Sequence, residues 1–237
     1  MKLLASGATD IGCIRSENED SFLCSEKLGV FAVADGIGGL PGGAQASQAA
    51  LRQLEDWFLK HSGAPTCDYE TALRETNEHV FLLGRELSPR YGIGTTLTLA
   101  HFVERTLTVL HVGDSFLFRL RNGVLEALTT EHNLENEMRA RAARGEPTVP
   151  VLENRAALTR CIGQPPPLRG DITTQDVLDG DRYLVCTDGI TRCITPPELA
   201  RFMTAAENPA QLARSLVHLA RERGGLDNAT AVVVFVG

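Results

Sequence analysis

Short apolar runs set the rhythm of this chain. Residues 30–34, 106–112, 182–187 and 229–236 are rich in Val, Leu and aromatic residues and carry few charges. Runs of that length and composition predict buried β-strands. Weaker runs at 3–9, 21–24, 95–103, 116–120, 125–128 and 158–162 predict further strands, and Asn122-Gly123 marks a tight hairpin. Helical spacing takes over at 44–60, where Ala46, Ala49, Ala50, Leu54, Trp57 and Phe58 share one face and Ser62 to Pro65 end it. A second helix follows over 69–87 with Asp68 as its N-cap. Residues 132–144 predict a polar helix, and 145–154, with Pro147 and Pro150, an exposed mobile loop. Thr195-Pro196-Pro197-Glu198 has the form of a capping box with Pro at the first helical position, opening a helix through 203. Asn208-Pro209 opens the last helix, through 223. Clustered strands with inserted helix pairs predict an α+β domain, two packed sheets covered by helices.

Composition narrows what such a domain does. A chain of 237 residues with 43% hydrophobic content builds one large core. Thirty acidic residues against 23 basic give a net charge of −7, which argues against nonspecific nucleic-acid binding and attraction to anionic membrane. The six cysteines form no CxxC pair and no zinc spacing with histidine, so free buried thiols in a reducing compartment are expected. The N-terminal apolar stretch is too short for a signal core, and no run reaches membrane-span length. The expectation is a cytoplasmic protein without membrane insertion.

The strand ends carry the chemistry. Residues 30–34 run into Asp35-Gly36, 107–112 into Gly113-Asp114-Ser115, and 183–187 into Asp188-Gly189. Asp227-Asn228 borders the last strand and Glu19-Asp20 the second. One such Asp is ordinary turn chemistry, in which the side chain bonds its own backbone. Five acid-bearing strand edges point further, to an all-carboxylate site. Hard oxygen ligands suit Mg²⁺, Mn²⁺ or Ca²⁺ and not zinc. A carboxylate bridging two cations about 3.5–4 Å apart would serve two-metal hydrolysis of a phosphate ester. Arg15 lies beside this acid group; its planar fork suits phosphate oxygens, or else it is a structural partner of the acids.

Six motifs then fall in order: Arg15-x-x-Asn18-Glu19-Asp20, Asp35-Gly36-Ile37-Gly38-Gly39, Gly94-Thr95-Thr96, Gly113-Asp114-Ser115, Thr187-Asp188-Gly189 and Asp227-Asn228. Together they resemble the PP2C-type (PPM) metal-dependent serine/threonine protein phosphatases, bacterial branch, over nearly the whole chain. The resemblance implies a single domain over 1–237: two antiparallel sheets flanked by helix pairs in four αββα layers, with a mobile flap around 132–157. It implies hydrolysis of phosphoserine and phosphothreonine by direct attack of a water bridging two Mn²⁺ or Mg²⁺ ions. Arg15 would bind the substrate phosphate, and Asp35 would bridge the metals with the Gly36 carbonyl on one of them. Glu19 would help hold the second metal, Asp188 and Asp227 the first, and Asp20 would orient the water. Asp114, with Asp188, would help hold a third, weaker metal. Implied partners are phosphorylated proteins and an opposing intracellular Ser/Thr kinase, around a monomeric enzyme.

The chain departs from the family pattern in places. Ile37 stands where some members carry a His proposed as general acid, and it cannot donate a proton. Phe116 follows Gly-Asp-Ser where an Arg is common. His132, in Glu131-His132-Asn133, reads as a structural or flap-base residue, and His111 as a packed strand residue. The flap arginines Arg139, Arg141, Arg144 and Arg155 meet either phosphopeptide or solvent. Two other functions fit the same fold: a catalytically silent regulatory module, or a hydrolase of small phosphorylated metabolites.

Overall fold

A computed structural model describes residues 1–38, 42–62, 67–148 and 153–237. Gly39, the helix stop at 63–65 and Pro150 lie outside the described residues. The strands are β1 (Leu3–Asp10), β2 (Asp20–Ser25), β3 (Val30–Asp35), β4 (Leu97–Val103), β5 (Thr106–Val112), β6 (Phe116–Arg121), β7 (Val124–Ala127), β8 (Asp171–Asp176), β9 (Arg182–Cys186) and β10 (Ala229–Val236). The helices are α1 (Gly43–Lys60), α2 (Tyr69–Leu87), α3 (Leu134–Ala143), α4 (Asp188–Thr191), α5 (Pro196–Ala205) and α6 (Pro209–Glu222). One sheet has the order β1-β10-β9-β6-β7 and the other β2-β3-β4-β5-β8. Neighbouring strands pair antiparallel throughout.

The four-layer arrangement follows from the unbroken apolar runs. Side chains alternate across a strand, so a strand apolar at every position is covered on both faces. In β3, Val30, Ala32 and Ala34 pack with Leu54, Trp57 and Phe58 of α1 and Leu73 and Val80 of α2. Phe31 and Val33 point the other way, into a core between the sheets shared with Tyr183, Val185, Val232 and Val234. In β10, Ala231 and Val233 face Leu199 of α5 and Leu212 and Leu216 of α6. The helix pairs thus cap the outer faces and the two sheets share the middle. Trp57 is core, and Asp68 caps α2 by accepting the Thr71 amide at 3.0 Å.

Two local expectations need correction, and one edge strand lies outside what the sequence predicts. β8, with sequence DITTQD, pairs with β5 at a sheet edge, yet it lacks the apolar alternation that marks a strand. Residues 158–162, expected as a strand, make only isolated bridges, Leu158 to Asn133 and Ile162 to Thr95. The cysteines are all unpaired, as expected, but Cys186 is buried whereas Cys13 is exposed. No helix among the described residues is long and apolar enough to cross a membrane.

Candidate active site

Antiparallel pairing brings the acid-bearing strand ends to one edge of the sandwich. Asp20 begins β2 and Asp35 ends β3, and the register sets them directly opposite each other. β9 ends beside the start of β10, Cys186 pairing with Ala231, which carries Asp188 and Asp227 to the same edge. Asp114 comes from the turn between β5 and β6. The result is a cleft of about 300 Å³ lined by Arg15, Glu19, Asp35, Gly36, Asp114, Asp188 and Asp227, with Ile37, Leu158 and Arg192 at its sides. All the residues expected at a site in sequence line it except Asp20, which lies behind it, buried. A larger groove of about 520 Å³ lies between α2 and residues 166–172, where Arg74 pairs with Glu78 at 3.5 Å.

Close backbone packing makes the convergence rigid. The Gly36 amide donates to the Glu19 carbonyl at 3.1 Å, and a Cβ at Gly36 would lie 2.5 Å from the Gly43 carbonyl oxygen, so only glycine fits. The Asp35 amide donates to Thr96 Oγ1 at 3.0 Å, and the Asp35 carbonyl accepts from the Thr95 hydroxyl at 2.9 Å. Asn228 stitches the β1–β2 loop to β10: its Oδ1 accepts the Glu19 amide at 2.8 Å and its Nδ2 donates to the Ile11 and Glu17 carbonyls. These contacts explain why Gly94-Thr95-Thr96 and Asn228 accompany the acids.

The carboxylates are held in unfavourable surroundings for their charge. Burial, and then the neighbouring Asp20, Asp188, Asp114 and Asp227, push the Asp35 carboxyl well above its ordinary value. Burial raises Asp188 to about 7, with Asp114 adding and Arg192 opposing. Burial raises Asp20 to about 6, although the Thr230 and Thr187 hydroxyls donate to its Oδ2 at 2.7 and 2.8 Å. Burial also raises Asp114 and Glu19. Asp20 Oδ1 and Asp188 Oδ1 are buried without any hydrogen-bond partner. A fold that keeps like charges together with unsatisfied oxygens has reserved them for something cationic.

Two arginines supply the positive charge in this structure. Arg15 Nε and Nη2 donate to Asp227 at 2.9 and 3.0 Å, a bidentate pair. Arg192 bridges Asp188 at 2.5 Å and Asp227 at 3.0 Å. As so arranged, no three His, Cys, Asp or Glu side chains among the described residues close on a single point tightly enough to hold a metal ion. The acids expected around the first metal are therefore together, with arginine between them. Arg192 escaped the sequence reading. Its signal is i,i+4 spacing from Asp188 across α4, a single turn hidden inside what reads as a strand end and loop.

The remaining candidates resolve as structural. His132 Nδ1 accepts the Gly113 amide at 3.1 Å, and its Nε2 lies 3.3 Å from Asp171, which fastens the Asp114 turn to β8. His111 is buried between Thr98 and the Thr130 carbonyl. Phe116 stacks on Phe118. Arg139 pairs with Glu135, and Arg141 and Arg144 with Glu146. Ile37 donates its amide to Gly94 and places only a hydrocarbon side chain at the cleft.

Known proteins share this fold. The family model for protein phosphatase 2C matches residues 15–222. The serine/threonine protein phosphatase PstP of Mycobacterium tuberculosis is 31% identical over 237 residues, covering 96% of this chain and 44% of PstP. The structure of PppA from Pseudomonas aeruginosa, described as a key regulatory component of T6SS, superposes with a TM-score of 0.84 at 30% identity, over 100% of this chain and 99% of that one. The PstP catalytic domain in complex with two manganese ions superposes with a TM-score of 0.82 at 29% identity, over 99% and 98% of the two chains. The fold, the order of the acid motifs and a family match that spans most of its length agree: this chain belongs to the protein phosphatase 2C family.

Proposed function

We propose that this chain is a metal-dependent protein phosphatase that hydrolyses phosphoserine and phosphothreonine on proteins and opposes an intracellular Ser/Thr kinase. The observation that carries the reading is the convergence of Asp35, Asp114, Asp188, Asp227 and Glu19 with Arg15 on one cleft, with Asp20 behind it. The donor set is all oxygen and lacks His and Cys, which suits Mn²⁺ or Mg²⁺. The partnerless Asp188 Oδ1 and Asp20 Oδ1 are free to bind a cation or a water at its side. Asp35 and the Gly36 carbonyl, with Glu19, would hold one ion, Asp35 with Asp188 and Asp227 the other, and Asp114 with Asp188 a third, weaker one. When bound, such ions lower the pKa of a coordinated water and neutralise charge on the phosphoryl oxygens.

The chain's own residues do the rest. Thr187 and Thr230 fix Asp20 through Oδ2, leaving Oδ1 to orient the attacking water in line with phosphorus. Arg15, released from Asp227, binds the phosphoryl oxygens and offsets their charge. Ile37 offers no proton, so the departing serine or threonine oxygen takes one from solvent. Residues 132–148 and 153–157 belong to a flap of the same single domain, and the enzyme works in the cytoplasm.

A phosphothreonine peptide assay with and without Mn²⁺, beside Asp35→Asn and Asp188→Asn, tests this directly. Turnover that needs Mn²⁺ and collapses in both variants is expected. Metal-independent turnover, or full activity in the variants, would remove the metal mechanism. Activity on sugar or nucleotide phosphates alone would replace the protein substrate with a metabolite.

A further inference from the structure

We propose that Arg192 is a second phosphoryl-binding side chain, gripping the same anion as Arg15. This rests on the phosphatase reading of the cleft. Arg15 Nη2 and Arg192 Nη1 each donate to the same atom, Asp227 Oδ2, at 3.0 Å. That oxygen occupies the point where two guanidinium groups from different elements converge: Arg15 from the β1–β2 loop and Arg192 from the end of α4. A single anionic oxygen held by two arginines is the arrangement a phosphoryl oxygen requires, and here the protein's own carboxylate fills it.

Three features turn this from an ion pair into a binding device. First, the two guanidinium side chains stay 37% and 53% exposed, so they stand at the mouth of the cleft and not in its floor. Second, Arg192 makes its ion pairs only with Asp188 and Asp227 among the described residues, the two acids assigned to one divalent ion. A cation on those carboxylates competes for the oxygens that now hold both arginines. Third, an arginine deprived of its carboxylate keeps its full charge and five N–H donors, with no acceptor of its own. A phosphoryl dianion supplies the missing oxygens to both forks at once. The bland alternative is that Arg192 merely neutralises the acids while no cation is bound. The two readings predict opposite outcomes for phosphate.

The test uses the Mn²⁺-loaded protein with inorganic phosphate and a phosphothreonine peptide. Arg192→Ala is expected to raise both the phosphate inhibition constant and the peptide KM about tenfold, the worth of one charge-assisted hydrogen bond. kcat should change less than KM, and Arg15→Ala should act in the same direction. Arg192→Lys should recover part of the loss, because charge remains while the planar fork is gone. Mn²⁺ binding, measured separately by calorimetry, should stay the same or tighten. An unchanged phosphate constant in Arg192→Ala would overturn the proposal and leave Arg192 a counter-charge for the acids. So would a loss of phosphate binding that tracks weakened Mn²⁺ binding. Phosphate binding that depends on Arg192 in a protein without peptide turnover would sink the phosphatase reading and keep the two-arginine site.

Discussion

β9 carries a buried carboxylate at each end, and the two are treated in opposite ways. Asp181, just before the strand, is 1% exposed. It accepts from Arg121 Nε and Nη2 at 2.7 and 2.6 Å, the Leu178 amide at 2.9 Å and the Tyr183 hydroxyl at 3.0 Å. Burial alone would raise its pKa, but these donors outweigh it and the net shift is downward. Asp188, just after the strand, has one buried oxygen with no partner and a carboxyl pushed up to about 7 by burial and Asp114. Burial is common to both ends. What differs is satisfaction: a buried acid with every oxygen bonded is scaffold, and one left short among other acids is kept for a ligand.

The largest effects should come from the unsatisfied end. Asp35→Asn is expected to reduce Mn²⁺-dependent turnover by more than about 100-fold, the upper range of changes that only support a metal ligand. The same substitution should stabilise the metal-free protein, because it removes a charge that burial and four acids oppose. Urea melts in EDTA read the gain, and phosphopeptide assays read the loss. A variant that lost both stability and activity would place Asp35 with Asp181, as scaffold.

Asp181→Asn should do the reverse. Removing one partner of a fully buried pair costs about 3–5 kcal/mol, and the 25% exposure of Arg121 lowers that to about 2–3 kcal/mol. Turnover per folded molecule and Mn²⁺ affinity should match wild type. A change in Mn²⁺ affinity would mean that the two ends of β9 are not independent.

The sequence showed which strands end in acids but not how each acid is treated. Asp35, Asp114, Asp188 and Asp227 were legible because each borders an apolar run and a glycine or asparagine. Both faces of those runs are buried, so their pattern is strong. β8 was not legible, since an edge strand spelled DITTQD buries little and borrows its order from β5. Arg192 was legible only as an i,i+4 partner of Asp188, because its second contact, Asp227, is 35 positions away. Asp181 drew no notice for the same reason: its partner Arg121 is 60 positions distant.

Acid should separate the two ends as well. Asp20 and Asp188 have raised pKa values, about 6 and about 7, so their ionised forms are disfavoured in the folded protein. Their destabilising contribution is present above those values and gone below the ordinary carboxylate range. Without metal, these two acids should therefore add stability as pH falls from 8 to 5, worth about 2–4 °C in Tm for each kcal/mol, against a loss from His101, His111 and His132, whose burial lowers their pKa values. Asp181 has a lowered pKa, so its contribution holds through that range and is lost only as pH falls below the ordinary range toward its folded value. Saturating Mn²⁺ should abolish the gain and raise Tm at pH 8. A metal-free Tm with the same pH dependence in wild type and Asp188→Asn would contradict the assignment of unfavourable charge to the acid cleft.

The smallest change tests the satisfied end most finely. Tyr183 is fully buried, its ring edge-on to Phe102 at 5.1 Å and its hydroxyl on Asp181. Tyr183→Phe keeps the ring contact and deletes one of four donors to Asp181. Two bonds from Arg121 and one from the Leu178 amide remain, so no oxygen is stranded. The expected cost is about 0.5–1.5 kcal/mol, without change in phosphopeptide turnover or Mn²⁺ affinity. A loss as large as that of Asp181→Asn would show that the hydroxyl, and not Arg121, keeps this carboxylate satisfied. A null effect would show that three donors are enough, which makes the missing donors at Asp188 all the more specific to the cleft.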